Sequence, residues 1–272
     1  MPATDASRQA SPAIEAGEVL LSLKGVQKSF GGVQALRGAD LEVRKGEVLA
    51  LVGDNGAGKS TLIKAIMGVH QPDAGSIVLD GREITVAHPD QARRLGIEAI
   101  YQDLALVGTF DLARNFFLGR EKMKSYLGGL IRVLDRDAMR AEALSVLENR
   151  VGIAIHNPYA SAYVLSGGQR QAIAIGRAID SDARLIIMDE PTAALGVEET
   201  ERVLSIISRL RDQGLTLLVI SHNLEHVFRC ADRIAVMHGG RVTAQMRRED
   251  VTRQEVVGHI MGSRLTDEAP AN

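Results

Sequence analysis

Apolar residues in this chain fall into two kinds of run, and the contrast between them predicts an α/β fold. Three runs are apolar at nearly every position: Val48-Leu49-Ala50-Leu51-Val52, Leu185-Ile186-Ile187-Met188 and Thr216-Leu217-Leu218-Val219-Ile220. Short continuous runs bounded by turn residues belong to strands covered on both faces. Gly96 to Tyr101 reads as a further buried strand ending at Gln102. Val19 to Leu23 alternates instead, and Phe30-Gly31-Gly32-Val33 follows as a turn. A strand pair is expected over Ala39 to Val43 and Glu47 to Val52, with Arg44-Lys45-Gly46 as its hairpin turn. Between the turn Gln71 to Gly75 and the turn Asp80-Gly81, Ser76 to Leu79 makes a short strand.

Helical spacing takes over in Thr61 to Met67, Leu112 to Leu118, Arg136 to Leu147 and Arg170 to Ile179, with Gly128-Gly129 marking a break. Strands resume at Leu185, so residues from about 104 to 180 are expected as a helical subdomain inserted into an α/β core. The cluster Phe110, Phe116, Phe117 and Leu118 is expected to pack in that core. A strand from Gly240 to Gln245 and a short helical tail close the folded part, expected to span 18–262. Residues 1–17 and 263–272 lack any period and read as flexible tails, the first without the apolar region of a signal peptide.

Composition narrows the picture slightly. The 272 residues are 45% hydrophobic, enough for one large domain or a domain with a subdomain. A formal charge of −2 offers no basic excess to neutralise a nucleic-acid backbone, so no nucleic-acid partner is expected. The one cysteine, Cys230, cannot close an internal disulfide, which fits a reducing compartment. No run approaches the ~20 apolar residues that cross a bilayer as a helix.

The strongest chemical signal is Gly53-Asp54-Asn55-Gly56-Ala57-Gly58-Lys59-Ser60, followed by Thr61, which matches the phosphate-cradling pattern G-x-x-x-x-G-K-[ST] between a strand and a helix. Glycines at 53, 56 and 58 free the backbone so that successive N–H groups converge on phosphate oxygens, and the helix that starts there adds its dipole. Lys59 is placed to reach the β- and γ-phosphates, and the Ser60 hydroxyl to hold Mg²⁺. Leu185 to Glu190 is an apolar strand ending in two carboxylates. Beside a phosphate loop, Asp189 suits Mg²⁺ and Glu190 suits the orientation or deprotonation of an attacking water.

Three further stretches are weaker alone. Gln102-Asp103 at a strand end is a surface turn as readily as a ligand edge. His222, after the strand that ends at Ser221, is either a helix cap or a sensor of γ-phosphate charge. Ser166-Gly167-Gly168-Gln169 opens a long helix, with Ser166 as its cap, and the double glycine exposes a second anion-binding helix start. Phe30, one of few aromatics, is either a core residue or a stacking surface for a nucleobase.

In this order the motifs closely resemble the ATP-binding cassette of ABC transporters over about residues 18 to 245. Gly53 to Thr61 corresponds to the Walker A loop, Gln102 to the Q-loop, Leu165 to Gln169 to the signature LSGGQ, Leu185 to Glu190 to the Walker B strand and His222 to the switch histidine. The resemblance implies a P-loop NTPase core with a RecA-like mixed sheet, an antiparallel β subdomain and an inserted α-helical subdomain. It implies Glu190, His222 and Gln102 in catalysis, with Gln102 also joining Ser60 and Asp189 around Mg²⁺, and Phe30 against adenine. It implies a head-to-tail homodimer in which Ser166 to Gln169 of one copy completes the ATP site of the other. Gly53 to Gly58, Asn115 to Glu121 and Pro191 to Val197 look like the cassettes of bacterial monosaccharide importers of the ribose, xylose and fructose type. That likeness implies permease subunits, indirectly a periplasmic or extracellular sugar-binding protein, and a peripheral place on the cytoplasmic face of the inner membrane. Gly196 departs from the general pattern, which has aspartate there. A soluble ABC-type ATPase, an importer cassette for another solute and a small-molecule P-loop kinase are the alternatives, the last leaving Leu165 to Gln169 without a role.

Overall fold

A computed structural model describes residues 17–126 and 130–262. The two expected tails, apart from Gly17, and the Gly128-Gly129 break lie outside the described residues. Strand β1 (Val19–Phe30) turns at Gly31-Gly32 into β2 (Val33–Arg44), with Phe30 paired to Val33. With β4 (Ala74–Leu79) and β5 (Arg82–Ile84) they form an antiparallel sheet in the order β2-β1-β4-β5. Asp80 and Gly81, both at positive φ (52° and 74°), make the tight β4–β5 turn, as a two-residue hairpin loop requires.

The second sheet is mixed. It joins β3 (Val48–Gly53), β6 (Ile97–Ile100), β9 (Leu185–Asp189), β10 (Thr216–Ile220), β11 (Arg233–His238) and β12 (Arg241–Arg247) in the order β12-β11-β3-β10-β9-β6. Every pairing in it is parallel except β11 with β12. The expected hairpin at Arg44-Lys45-Gly46 does not form: β2 pairs with β1, while β3 pairs with β10 and β11. The reason is coverage. β3 is buried at all six positions, whereas β2 alternates and keeps a solvent face, so the turn carries the chain from one sheet to the other.

Alternation inside the apolar runs builds two cores. Leu49 and Leu51 of β3, with Ile187, Leu218 and Ile220, face the antiparallel sheet and helix α1 (Lys59–Ile66). Val48, Ala50 and Val52 face the other way, with Ile186, Met188 and Val219, toward the remaining helices. Those are α3 (Leu112–Phe116), α4 (Arg136–Val146), α5 (Gly167–Asp180), α6 (Val197–Asp212), α7 (Leu224–Cys230) and α8 (Arg253–Ile260), whereas α2 (Pro89–Arg94) contributes Ala92 to the first core. Cys230, buried at the end of α7, has its thiol pushed up to about 11 by that burial.

Helices α3, α4 and α5 lie between β6 and β9 in chain order and pack on one another through Phe116, Leu147 and Gly176. Phe116 and Phe117 are buried as expected, whereas Phe110 and Leu118 are half-buried. Between α3 and α4 the chain makes a small hairpin, β7 (Met123–Tyr126) and β8 (Ile131–Leu134), with every residue exposed. Helical spacing does not predict it; its signal is the alternating, β-branched Ile131-Arg132-Val133.

A Cβ on Gly176 would stand 2.8 Å from Phe116 Cε2 and 3.0 Å from Leu147 Cδ2, so this glycine sets how closely the three helices approach. Gly176→Val should lower stability by about 1–3 kcal/mol in denaturant titration. Gly32→Ala, where a Cβ meets open space, should stay within about 0.5 kcal/mol of the parent.

Candidate nucleotide site

Four parallel strands end on the same edge of the mixed sheet, and their carboxyl ends carry the chemistry. Gly53 ends β3, Asp189 and Glu190 end β9, Ser221 and His222 follow β10, and Gly239-Gly240 follow β11. Together they border a cleft of about 610 Å³ lined by Asn55 to Thr61, Gln102, Asp189, Glu190 and His222 among others. Ligands of open α/β sheets bind at such an edge, and the volume suits a small molecule.

Backbone approach shapes the loop. Gly53, at φ 155°, places the position of a Cβ 2.2 Å from the Met237 carbonyl oxygen. Gly58, at φ 105°, places it 2.7 Å from the Ala35 carbonyl oxygen and caps α1 without any side-chain bond. No other residue fits these two positions. Gly56 is also left-handed, at φ 80°. The loop therefore delivers main-chain N–H groups to the start of α1, where the helix dipole favours an anion.

Lys59 reaches back across the loop, and its Nζ donates to the carbonyls of Gly53 at 2.7 Å and Asp54 at 3.0 Å. Burial holds its ammonium below the usual lysine range, while Glu190, Asp54 and Asp189 pull the other way. Glu190 sits at φ 51°, a left-handed position for a residue with a Cβ. It is pinned on both sides, its N–H donating to Ile220 O at 2.9 Å and its carbonyl accepting from Ala193 N at 3.0 Å. Its Oε1 accepts the His222 N–H at 3.1 Å and meets His222 Nδ1 at 2.8 Å. A half-buried carboxylate and a largely exposed imidazole thus form one hydrogen-bonded pair at the mouth of the cleft.

Not every predicted residue lines this cleft. Gly53 and Asp54 hold Lys59 from behind. Phe30 is 43% exposed, packs edge-on against His70 with ring centroids 4.9 Å apart, and stands outside the lining, although Val33 to Ala35 of the same hairpin belong to it. Ser166 to Gln169 also stand apart: Ser166 caps α5 by accepting from Gln169 N, and the Gln169 side chain accepts the Ser166 N–H in return. Gly167 borders a neighbouring cleft that shares Gln102, Glu190 and Ala193 with the first.

Two features escaped sequence reasoning. Gly239-Gly240 closes one wall, with Gly240 N donating to Ala57 O at 3.0 Å and Gly240 O accepting from Arg37 N at 2.8 Å. The double glycine at a strand end was its signal. Asn115, fully buried, ties the loop after β6 to α3: its carboxamide accepts from Val107 N and donates to the carbonyls of Val107 and Phe110.

A parallel sheet edge with a glycine-gated loop, a lysine folded into it and a carboxylate pair opposite defines a P-loop nucleotide-binding protein. Residues 36–193 match the ABC transporter family, and the chain belongs to it. It is 44% identical to a fructose import ATP-binding protein of Rhizobium meliloti, over 92% of this chain and 96% of that one. It is 42% identical to a xylose/arabinose import ATP-binding protein of Sulfolobus acidocaldarius, over 87% and 92%. Against a ribose import ATP-binding protein of Clostridium tetani it is 38% identical over 92% of its own length and spans about half (48%) of that protein. Among solved structures it is similar to a nucleotide-free ATP-binding cassette from an ABC transporter, with a TM-score of 0.74 and 27% identity over 90% and 95% of the two chains. The ADP conformation of another such cassette gives 0.75 and 28% over 89% and 95%.

The Asp189 carboxyl is pushed up, first by burial and then by Glu190, with Lys59 and Lys64 opposing. A carboxyl raised in the folded state binds more protons folded than unfolded, so its charged form lowers stability, and that loss is full above the folded value, shrinks as pH falls below it and is gone below the unfolded value. Asp189→Asn should therefore melt higher than the parent at pH 7, by a margin that closes on acidification through the carboxylate range. A margin constant from pH 8 to pH 4 would refute burial as its source.

Proposed function

We propose that this chain is the ATP-hydrolysing subunit of an importer that carries a simple sugar through a membrane permease. The observation that carries the reading is the single cleft holding Lys59 at a glycine-gated loop opposite the Glu190–His222 pair, in a chain whose relatives are sugar import ATP-binding proteins.

On this reading the loop from Gly53 to Thr61 cradles the phosphates, and Lys59 exchanges its carbonyl partners for phosphate oxygens. Glu190 accepts a proton from the attacking water; His222, hydrogen-bonded to it, orients the carboxylate and faces the γ-phosphate. The oxygens of Ser60, Asp189 and Gln102, all at the cleft, are the hard donors that suit Mg²⁺, which keeps most of its water and binds few protein groups. Mg²⁺ supplies neutralisation of charge on the β- and γ-phosphate oxygens. Phe30, exposed at the hairpin tip beside the cleft, offers a face for adenine.

Ser166 to Gln169 lie outside the cleft of their own chain, which supports a homodimer in which each copy lends this helix start to the other's nucleotide. Closure by ATP and reopening by hydrolysis then pass through Gln102, which borders both clefts, to the helices α3 to α5 and on to the permease. Driving such a switch from 1:99 to 99:1 takes about 5.5 kcal/mol of differential affinity, a reasonable load for two shared γ-phosphate sites. The proposed setting is the cytoplasmic face of the membrane, with a sugar-binding protein engaged only through the permease. No described helix is long and apolar enough to cross a membrane.

Glu190→Gln should cut ATP turnover by about 10²–10⁴-fold and accumulate an ATP-bound dimer on size-exclusion chromatography, and Lys59→Ala should abolish nucleotide binding. A Glu190→Gln protein that stays monomeric in saturating ATP, while still binding it, would defeat the closure step. Co-purification with a polytopic permease and stimulation of turnover by a sugar separate transport from a soluble ATPase.

A further inference from the structure

The helix start at Ser166 to Gln169 has an occupant from its own chain. Gly196 gives α6 no side-chain cap, and Glu199 at the third helical position reaches back so that its Oε2 accepts the Gly196 N–H at 3.3 Å. Reaching back to do so brings the carboxylate against α5. The same oxygen stands 3.0 Å from the point where a Cβ on Gly167 would lie, and Glu199 Cβ stands 3.6 Å from the corresponding point on Gly168. The Gly196 N–H, the donor it is hydrogen-bonded to, holds the Glu199 carboxyl below its ordinary range against the opposing effect of burial, with smaller help from the nearby polar groups of Gly168, Ser166 and Gly167. Its neighbour Glu198 instead points to solvent and lies 3.6 Å from Arg202. A full negative charge therefore rests beside the first turn of a 14-residue helix, where free amides and the dipole favour an anion.

We propose that Glu199 is a built-in competitor for the glycine-rich start of α5: in the separated subunit its carboxylate holds the place that the terminal phosphate of a partner copy's ATP takes on closure. Two anions do not occupy one place beside a helix start, so closure requires the carboxylate to move aside. Glu199 then sets the ATP level at which two copies lock, and it holds the helix start in order until they do. It is a positioning residue, remote from the attacking water. The inference rests on the reading that Ser166 to Gln169 complete the ATP site of a second copy.

The test uses the full chain carrying Glu190→Gln, so that the closed dimer persists, and follows the monomer–dimer equilibrium against ATP by size-exclusion chromatography with light scattering. Glu199→Gln keeps an oxygen for the Gly196 N–H, since glutamine serves as well in a capping box, and removes only the charge. It should lower the ATP midpoint for dimerisation by about three- to tenfold, two symmetric contacts each acting at the scale of a solvent-facing ionic interaction. Nucleotide affinity of the monomer should not change. Glu198→Gln, an equal charge change on the same turn, should leave the midpoint in place. An unshifted midpoint in Glu199→Gln, an equal shift in Glu198→Gln, or altered monomer affinity would overturn the proposal. Ser166→Arg in the same background separates the two levels. If it still dimerises with ATP, the shared-site reading itself fails; if it stays monomeric while Glu199→Gln shows no shift, only the competitor role fails.

Discussion

The Met237 carbonyl stands 2.2 Å from where a side chain on Gly53 would begin, and the Ala35 carbonyl 2.7 Å from the same point on Gly58. Much of the molecule depends on these two contacts. They let β11 and the start of β2 press against the loop, so that it is held from outside as well as by the bonds Lys59 makes to its carbonyls. A side chain at either place would push the strand away, and backbone this close to a carbonyl cannot yield as a flexible side chain would. The loop is thereby held open toward the cleft, and Lys59 is the group left to fill it.

The same sheet edge collects groups whose preferences conflict. Lys59 is disfavoured as a cation by burial and restored by the acids around it, whereas Asp189 is disfavoured as an anion by burial and by Glu190. Lys59 and the acids around it each ease the burial of the other's charge, while Glu190 adds to the cost at Asp189. Glu190 adds a backbone conformation that residues with a Cβ rarely adopt, retained because its N–H and carbonyl are both engaged. Local cost concentrated at a strand end, inside two well-packed cores, is how a site is readied for a multiply charged ligand.

Gly196 leaves the start of α6 without a side-chain cap, and Glu199 ties that start to the start of α5. Glu199, three positions along, accepts the Gly196 N–H, and its carboxylate comes to rest beside Gly167 while its aliphatic stem lies against Gly168.

The buried strands, the phosphate loop, the two carboxylates at the end of β9 and the cap of α5 are legible along the chain, because each rests on local rules: period, turn chemistry and residue type at fixed spacing. It also carried the family, since the motifs occur in order along one chain. That Arg44 to Gly46 is a corner between sheets came from packing, because pairing follows which faces must be covered and not which strands are adjacent. The β7–β8 hairpin, the wall built from Gly239-Gly240 and the anchoring role of Asn115 were likewise settled by packing, since each depends on partners distant along the chain or on a fold of the loop between them. The seat of Glu199 against α5 is of the same kind. Residues about 30 positions apart meet there because two helices begin side by side, and no pattern along the chain records that distance.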